Sequence, residues 1–156
     1  MVTENIFDKV IRYLKKEQIN YIKVPVISYS PATARKMNNA RLETIASKVN
    51  VFGLKEFTKV VYLDADSVFI KTIDELFDYP DGAMYDEGNP EQGFCGLFVC
   101  CPWAHLLKCY TILLQNSDMW ESDIIEGLWF PYKTNPDYHI PFPYFVNINN
   151  EAFETF

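Results

Sequence analysis

Near the middle of the chain an apolar run ends abruptly in two carboxylates. Residues 59–63 (KVVYL) combine β-branched and aromatic side chains, which favours a strand, and their apolar character indicates a buried central strand. Asp64, Ala65 and Asp66 follow it directly. Because ligands of open α/β sheets bind beyond the carboxyl ends of strands, this feature predicts a sheet with a ligand site at Asp64 and Asp66.

Four other segments are predicted to be helical, and in the first two of them apolar residues recur at helical spacing. The first helix is predicted to begin at Thr3, whose hydroxyl can cap it, and to continue for about fourteen residues. The other three helices are predicted at residues 41–52, 102–115 and 120–129. Gly53 lies just past residues 41–52 and is expected to end or bend that helix.

Strands are predicted at residues 21–26, 82–85 and 94–100, in addition to residues 59–63. Residues 28–33 (SYSPAT) are predicted as a loop, and four prolines in the tail exclude a regular helix there. Strands that alternate with helices predict an α/β fold. A chain of 156 residues is expected to form a single domain.

Charge and composition exclude several classes of partner. The net charge is −7, with 21 acidic against 14 basic residues, which argues against nucleic acid because phosphate neutralisation needs clustered Lys and Arg. No apolar run approaches the roughly 20 residues that span a bilayer, and the charged N-terminus does not resemble a signal peptide. The four cysteines include no C-x-x-C pair, so we expect reduced thiols and a cytoplasmic protein.

Asp64 and Asp66 are separated by a single residue in a predicted loop, so their carboxylate oxygens can point to one site. Oxygen ligands are those that Mg²⁺ and Mn²⁺ prefer, and a diphosphate can complete the coordination shell. Such a metal stabilises the charge that develops on a departing nucleoside diphosphate. The alternative is that both carboxylates only stabilise a turn or cap in an unrelated α/β domain, because Asp-x-Asp by itself is weak evidence for a metal.

The residues around the two carboxylates carry a family resemblance. Residues 60–77 (VVYLDADSVFIKTIDELF) resemble the signature of glycosyltransferase family 8, which includes glycogenin, galactinol synthase and bacterial lipopolysaccharide hexosyltransferases. The family pattern is a hydrophobic strand, Asp-x-Asp, a short apolar stretch and Ile-Asp-x-Leu-Phe. Residues 60–77 contain every part of this pattern at the expected relative positions.

Three further segments look like family segments. Residues 93–99 resemble Asn-Ser/Ala-Gly-x-Phe-Val, residues 121–126 resemble Asp-Gln-Asp-x-Leu-Asn, and residues 140–147 resemble Leu-Pro-x-x-Tyr-Asn. The chain departs from the family where Phe94 replaces the Asn that touches the donor sugar, and where Glu121-Ser122 replaces Asp-Gln. Compared with the family, we expect this domain to lack the first two strands and the C-terminal segment that carries the third metal ligand, a His.

The resemblance implies a nucleotide-diphosphosugar transferase (GT-A type) fold, with a mostly parallel central sheet and flanking helices. It also implies transfer of a hexose from a nucleotide sugar, with UDP as the expected nucleotide, to an acceptor hydroxyl on a carbohydrate or protein. Retention of the anomeric configuration and a Mn²⁺ or Mg²⁺ cofactor are implied with it. The site residues implied are the metal ligands Asp64 and Asp66, the donor-binding residues Lys48, Arg41 and Ala65, and the catalytic residues Glu121 and Asp123.

Two further interpretations stay open at the level of sequence. The chain is alternatively a catalytically degenerate relative that binds a sugar or a partner without turnover. Trp120, Trp129 and Tyr132 flank the segment of Glu121 and Asp123 and are candidates for a sugar-stacking platform. Aromatic residues at helical spacing are more often part of a core, so the structural interpretation of these three is the more common one.

Overall fold

The computed structural model describes residues 1–37, 42–65, 67–69, 71–86, 93–128, 135–141 and 145–147. The chain divides into two compact units. The first consists of Met1–Leu54 and Trp103–Glu121, and the second of Lys55–Pro102 and Ser122–Phe156. The structure contains both helices and strands, so the predicted α/β class is confirmed. The single domain that the sequence predicts stays a prediction. No helix in the described ranges is both long and apolar enough to cross a bilayer.

The first unit is mainly helical. A parallel pair of short strands, β1 (Val2–Thr3) and β2 (Lys23–Val24), flanks helix α1 (Asp8–Lys16). These elements are followed by helix α2 (Pro31–Met37), a 3₁₀ helix (Leu42–Gly53) and helix α3 (Ala104–Asn116). The core of this unit forms where Phe52 stacks on Tyr110, with 4.5 Å between the ring centroids and no exposed area on either side chain.

Two sequence predictions about this unit are wrong. Thr3 does not cap the first helix, because its backbone pairs with β2 and the helix begins only at Asp8, with Phe7 at the cap position. Residues 28–33 are not entirely loop, since α2 begins at Pro31. The Ser30 hydroxyl accepts a hydrogen bond of 3.2 Å from the Thr33 N–H, which is the usual N-cap contact. Serine followed by proline is the expected start of a helix and was the available signal.

The second unit contains a four-stranded sheet with the strand order β3-β6-β5-β7. Its strands are β3 (Val60–Leu63), β5 (Met84–Asp86), β6 (Gly93–Cys100) and β7 (His139–Ile140), and a second, two-stranded sheet pairs β4 (Ser67–Phe69) with β8 (Phe145–Asn147). The remaining described elements are helix α4 (Glu121–Leu128) and the 3₁₀ helices Asp74–Asp78 and Pro136–Tyr138. One face of β3 and β6 packs into a core around Leu76, Leu97 and Val99.

The mostly parallel sheet that the resemblance implies is wrong for the described strands. β3 and β5 both pair with β6 in the antiparallel sense, and only β5 with β7 is parallel in that sheet. β3 also lies at one edge of the four described strands, with half-buried residues, whereas the sequence predicted a buried central strand. An apolar run shows that a strand is covered by other residues, but it contains no information on the direction or number of its neighbours.

Two glycines provide a matched test of the packing between the 3₁₀ helix Leu42–Gly53 and α3. An added Cβ at Gly53 would lie 2.6 Å from Leu107 Cδ2 of α3, whereas one at Gly127 of α4 would meet nothing within 4 Å. We expect Gly53→Ala to lower the free energy of unfolding by roughly 1 kcal/mol because Leu107 must move. Gly127→Ala should raise it by up to about 1 kcal/mol because alanine favours the helix.

Urea unfolding followed by circular dichroism measures both values. A Gly53→Ala protein that gains as much stability as Gly127→Ala would contradict the close approach of the 3₁₀ helix to α3.

Candidate functional site

Asp64 is fixed by its backbone at the end of β3. Its N–H donates a 2.8 Å hydrogen bond to the carbonyl oxygen of Gly96, which extends the ladder between β3 and β6 by one residue. Its carbonyl oxygen accepts a 3.2 Å hydrogen bond from the N–H of Ser67, which closes a turn. Ala65 is exposed in that turn, while Asp66 lies outside the described residues. Both backbone polar groups of Asp64 are therefore satisfied, and the position of its Cα is determined by the sheet.

The carboxylate of Asp64 is oriented by a neighbour that the sequence analysis missed. The Tyr62 hydroxyl donates a hydrogen bond of 2.7 Å to Asp64 Oδ1, and the carboxylate is half-buried. Side chains two residues apart on a strand share a face, so the spacing of Tyr62 and Asp64 was the signal that this contact exists. Hydroxyl-to-carboxylate bonds of this length are among the stronger hydrogen bonds in proteins.

Tyr62 is itself held in place by the sheet. Its ring stacks on that of Phe98, with centroids 4.8 Å apart and an angle of 18° between the planes. Tyr62 and Phe98 face each other in the register of β3 and β6, and Phe98 has no exposed area. A buried ring under Tyr62 restricts the position of the hydroxyl, and through it the direction of the Asp64 carboxylate.

The turn after Asp64 leads into a strand that carries a second family-like segment. In the antiparallel pair of β4 and β8, Ser67 lies opposite Asn147, so the end of residues 140–147 is brought next to the turn. The Ser67 hydroxyl oxygen is buried and has no hydrogen-bond partner among the described atoms. A buried hydroxyl is normally satisfied, so the Ser67 hydroxyl can form a hydrogen bond with a water or a ligand next to the turn.

The second half of the signature has a structural role. Residues 73–77 include most of the 3₁₀ helix Asp74–Asp78, whose Leu76 has no exposed area and lies in the core. The Lys59 ammonium donates hydrogen bonds to the carbonyl oxygens of Phe77 and Tyr79, at 2.8 and 2.9 Å. These contacts attach the 3₁₀ helix to the residue before β3. The burial of Leu76 explains why this position of the signature is apolar.

The other predicted site residues occupy different parts of the fold. Lys48 lies half-buried in the 3₁₀ helix of the first unit. That helix is anchored by the buried side chains of Ser47 and Asn50, which bind the backbone of Ile27 and Pro25 respectively. Glu121 begins α4, and Asp123 is exposed in its first turn. Arg41 lies outside the described residues.

The donor chemistry at Asp64 suits a hard divalent cation. Carboxylate and hydroxyl oxygens are the ligands that Mg²⁺ and Mn²⁺ prefer, and Asp64 presents such a group at a strand end. No group of three His, Cys, Asp or Glu that could hold a metal occurs among the residues that the structure describes, and Asp66 is not one of them. The described part of the chain therefore supplies one of the two predicted metal ligands.

Two adjacent cysteines of the described residues, Cys100 and Cys101, do not provide a competing site. Both are free thiols, as is Cys109. Burial raises the pKa of the Cys100 thiol above its usual range, and the charge of Asp81 adds to that effect. Burial and Asp81 also raise the pKa of Cys101. Both thiols are therefore neutral at physiological pH, and neutral thiols are poor metal ligands and nucleophiles.

The amino-acid sequence was compared with those of known proteins, and several similar proteins were found. No protein-family model matches it. It is 35% identical to a glycogenin of Neurospora crassa over 102 residues, which are 64% of this chain and 15% of that protein. It is 24% identical to human glycogenin-2 over 163 aligned positions that cover 100% of this chain and 30% of that protein. It is 39% identical to galactinol synthase 1 of Ajuga reptans over 57 residues, which are 36% of this chain and 17% of that protein.

These relatives are glycosyltransferases, and this chain spans less than a third of the length of each. The similarity to human glycogenin-2 extends over the whole chain, so it is not confined to the Asp-x-Asp signature. The resemblance that the sequence predicts is confirmed, because the chain is similar to glycogenins and galactinol synthases.

Proposed function

We propose that this chain contains the donor site of a metal-dependent glycosyltransferase, which moves a hexose from a UDP-sugar to an acceptor hydroxyl with retention of configuration. The observation that carries the proposal is the placement of Asp64. It lies at the carboxyl end of a strand, with its backbone fixed by Gly96 and Ser67 and its carboxylate oriented by Tyr62. The relationship to glycosyltransferases supplies the reaction class. The proposal includes a GT-A type fold for the complete domain.

Pre-orientation of the carboxylate is what makes Asp64 a suitable ligand. A metal ligand must be held close to its productive geometry, and an outer hydrogen bond commonly provides this. Tyr62 donates to Oδ1 and so restricts the rotation of the carboxylate. In the proposal, Asp64 and Asp66 bind Mn²⁺ or Mg²⁺, which supplies Lewis-acid stabilisation for the departing diphosphate when it is bound.

The remaining residues have proposed roles toward the donor. Lys48 contributes a point charge to the diphosphate, and its helix is anchored on both sides by Ser47 and Asn50. Arg41 and the backbone of Ala65 complete the donor contacts. Glu121 and Asp123, in the first turn of α4, accept hydrogen bonds from hydroxyls of the donor sugar. A site that binds sugar hydroxyls through hydrogen bonds discriminates strongly against nucleotide sugars that lack those hydroxyls.

Removal of the Asp64 carboxylate tests the donor site. We expect the wild-type chain to bind UDP-glucose in a Mn²⁺-dependent manner, and Asp64→Asn to weaken that binding at least roughly a hundredfold, because a direct ligand matters more than an outer-shell partner. Calorimetric titration with and without Mn²⁺ measures it. Asp78→Asn, an exposed carboxylate of the same unit, is the control with the same change in charge and should bind like the wild type.

That titration, together with an assay of UDP-glucose hydrolysis and transfer, separates the interpretations. Mn²⁺-dependent binding without any donor hydrolysis or transfer would favour the catalytically degenerate relative. An Asp64→Asn protein that binds as tightly as the wild type would contradict the proposed donor site and favour the structural role of the carboxylates.

Tyr62→Phe tests whether the hydroxyl positions Asp64. The variant keeps the ring that stacks on Phe98 and removes only the bond to Oδ1, so we expect roughly a tenfold loss in affinity for Mn²⁺ with UDP. In the Asp64→Asn background the same change should have little further effect, since both variants disturb one ligand. Tyr138→Phe is the control. Equal losses in both backgrounds, measured by calorimetry, would show that Tyr62 acts through general stability rather than through Asp64.

A further inference from the structure

Trp120 combines exposure with a fixed orientation. Its side chain is 40% exposed, although tryptophan is usually well covered in a folded protein. Its ring meets that of Tyr29 edge to face, with centroids 6.2 Å apart and an angle of 66° between the planes. Tyr29 is only 5% exposed and belongs to the interior of the first unit. In an edge-to-face contact Tyr29 covers at most one face of the indole, so the contact holds Trp120 in place while 40% of the residue stays exposed.

The loop that carries Trp120 is attached to the N-terminal part of the unit at two further points. The Thr33 hydroxyl donates a 3.2 Å hydrogen bond to the carbonyl oxygen of Ser117. The Lys36 ammonium lies 2.7 Å from Asp118 Oδ2, two residues before Trp120. With the ring contact to Tyr29, these bonds fix the segment after α3. A side chain that is ordered before binding loses less conformational entropy when a ligand arrives.

The chemistry around the indole is both apolar and polar. The Lys36–Asp118 pair is exposed, so its ammonium and carboxylate can exchange hydrogen bonds with a ligand as well as with each other. A pyranose ring has one face of C–H groups and a rim of hydroxyls. The C–H face suits an aromatic ring, while the hydroxyls suit a carboxylate acceptor and an ammonium donor.

We propose that Trp120, with the neighbouring Asp118 and Lys36, forms a stacking subsite for a pyranose ring of a saccharide acceptor. The inference rests on the proposed glycosyltransferase function, because that relationship makes a sugar the expected ligand. Trp120 directly precedes α4, which begins with Glu121, so the chain leaves the subsite and enters the segment with the proposed sugar-binding carboxylates. Trp129 and Tyr132, the other predicted stacking candidates, lie outside the described residues.

Trp103 supplies an internal comparison. It is 58% exposed in the same unit and its ring meets that of His105 edge to face, at 5.5 Å between centroids. It lies at the N-terminal cap position of α3. Since His105 is itself exposed, its contact does not give Trp103 the buried support that Tyr29 gives to Trp120. Exposure of an indole is thus common to both residues, while fixation against the interior distinguishes Trp120.

The test uses the indole N–H signals of the chain, which contains three tryptophans. Maltoheptaose and cellopentaose are titrated into ¹⁵N-labelled protein without metal or nucleotide, and the signals are assigned with Trp103→Phe and Trp120→Phe. We expect one of the two saccharides to shift the Trp120 indole signal and leave that of Trp103 in place. Trp120→Ala should weaken saccharide binding roughly tenfold, whereas Trp103→Ala should bind like the wild type.

Each outcome bears on one proposal alone. If neither saccharide shifts the Trp120 signal, or if Trp103 responds equally, the stacking subsite is wrong even where Mn²⁺-dependent binding of UDP-glucose is intact. If saccharide binding is found but UDP-glucose does not bind with Mn²⁺, the donor site is wrong and Trp120 acts as a sugar-binding residue without it. Trp120→Phe retains an aromatic ring, so intermediate affinity of this variant separates loss of stacking from loss of fold.

Discussion

The hydrogen-bonded ladder between β3 and β6 determines where Asp64 lies. The ladder continues through the Asp64 N–H, and the same pairing places Phe98 beneath Tyr62, whose hydroxyl orients the carboxylate. A shift of one residue in this register would turn Tyr62 and Asp64 to the opposite face of the strand. The apolar core on the other face, around Leu97 and Val99, prevents such a shift. The core and the candidate site therefore lie on opposite faces of the same strand pair.

The family-like segments divide into those that support the turn and those proposed to act on the donor. The segment around Leu76 fills the core and is attached to the start of β3 through Lys59. The segment that ends at Asn147 is brought to the turn by pairing with β4. These contacts give a physical reason for a signature longer than Asp-x-Asp, because an isolated pair of carboxylates has no fixed direction. The proposed catalytic residues Glu121 and Asp123 belong to a separate helix.

The sequence pattern predicted elements whose hydrophobic period is strong and local. β6, α3 and α4 lie within a few residues of their predicted bounds, and β3 ends at the residue before Asp64 as expected. Strand direction and the edge position of β3 were not predictable, since both depend on contacts between distant segments. The Tyr62–Asp64 bond was missed although alternation on a strand implies it, and the helix at Pro31 was missed although Ser30 is a typical cap.

In our proposal, the turn beginning at Asp64 binds a divalent metal together with a nucleoside diphosphate. Paramagnetic broadening by Mn²⁺ in ¹⁵N-labelled protein measures this residue by residue. With UDP present, we expect low Mn²⁺ concentrations to broaden the amide signals of Asp64, Ala65 and Ser67 first, together with that of Asn147 opposite Ser67. Broadening that begins at other residues, or that is the same with and without UDP, would contradict it.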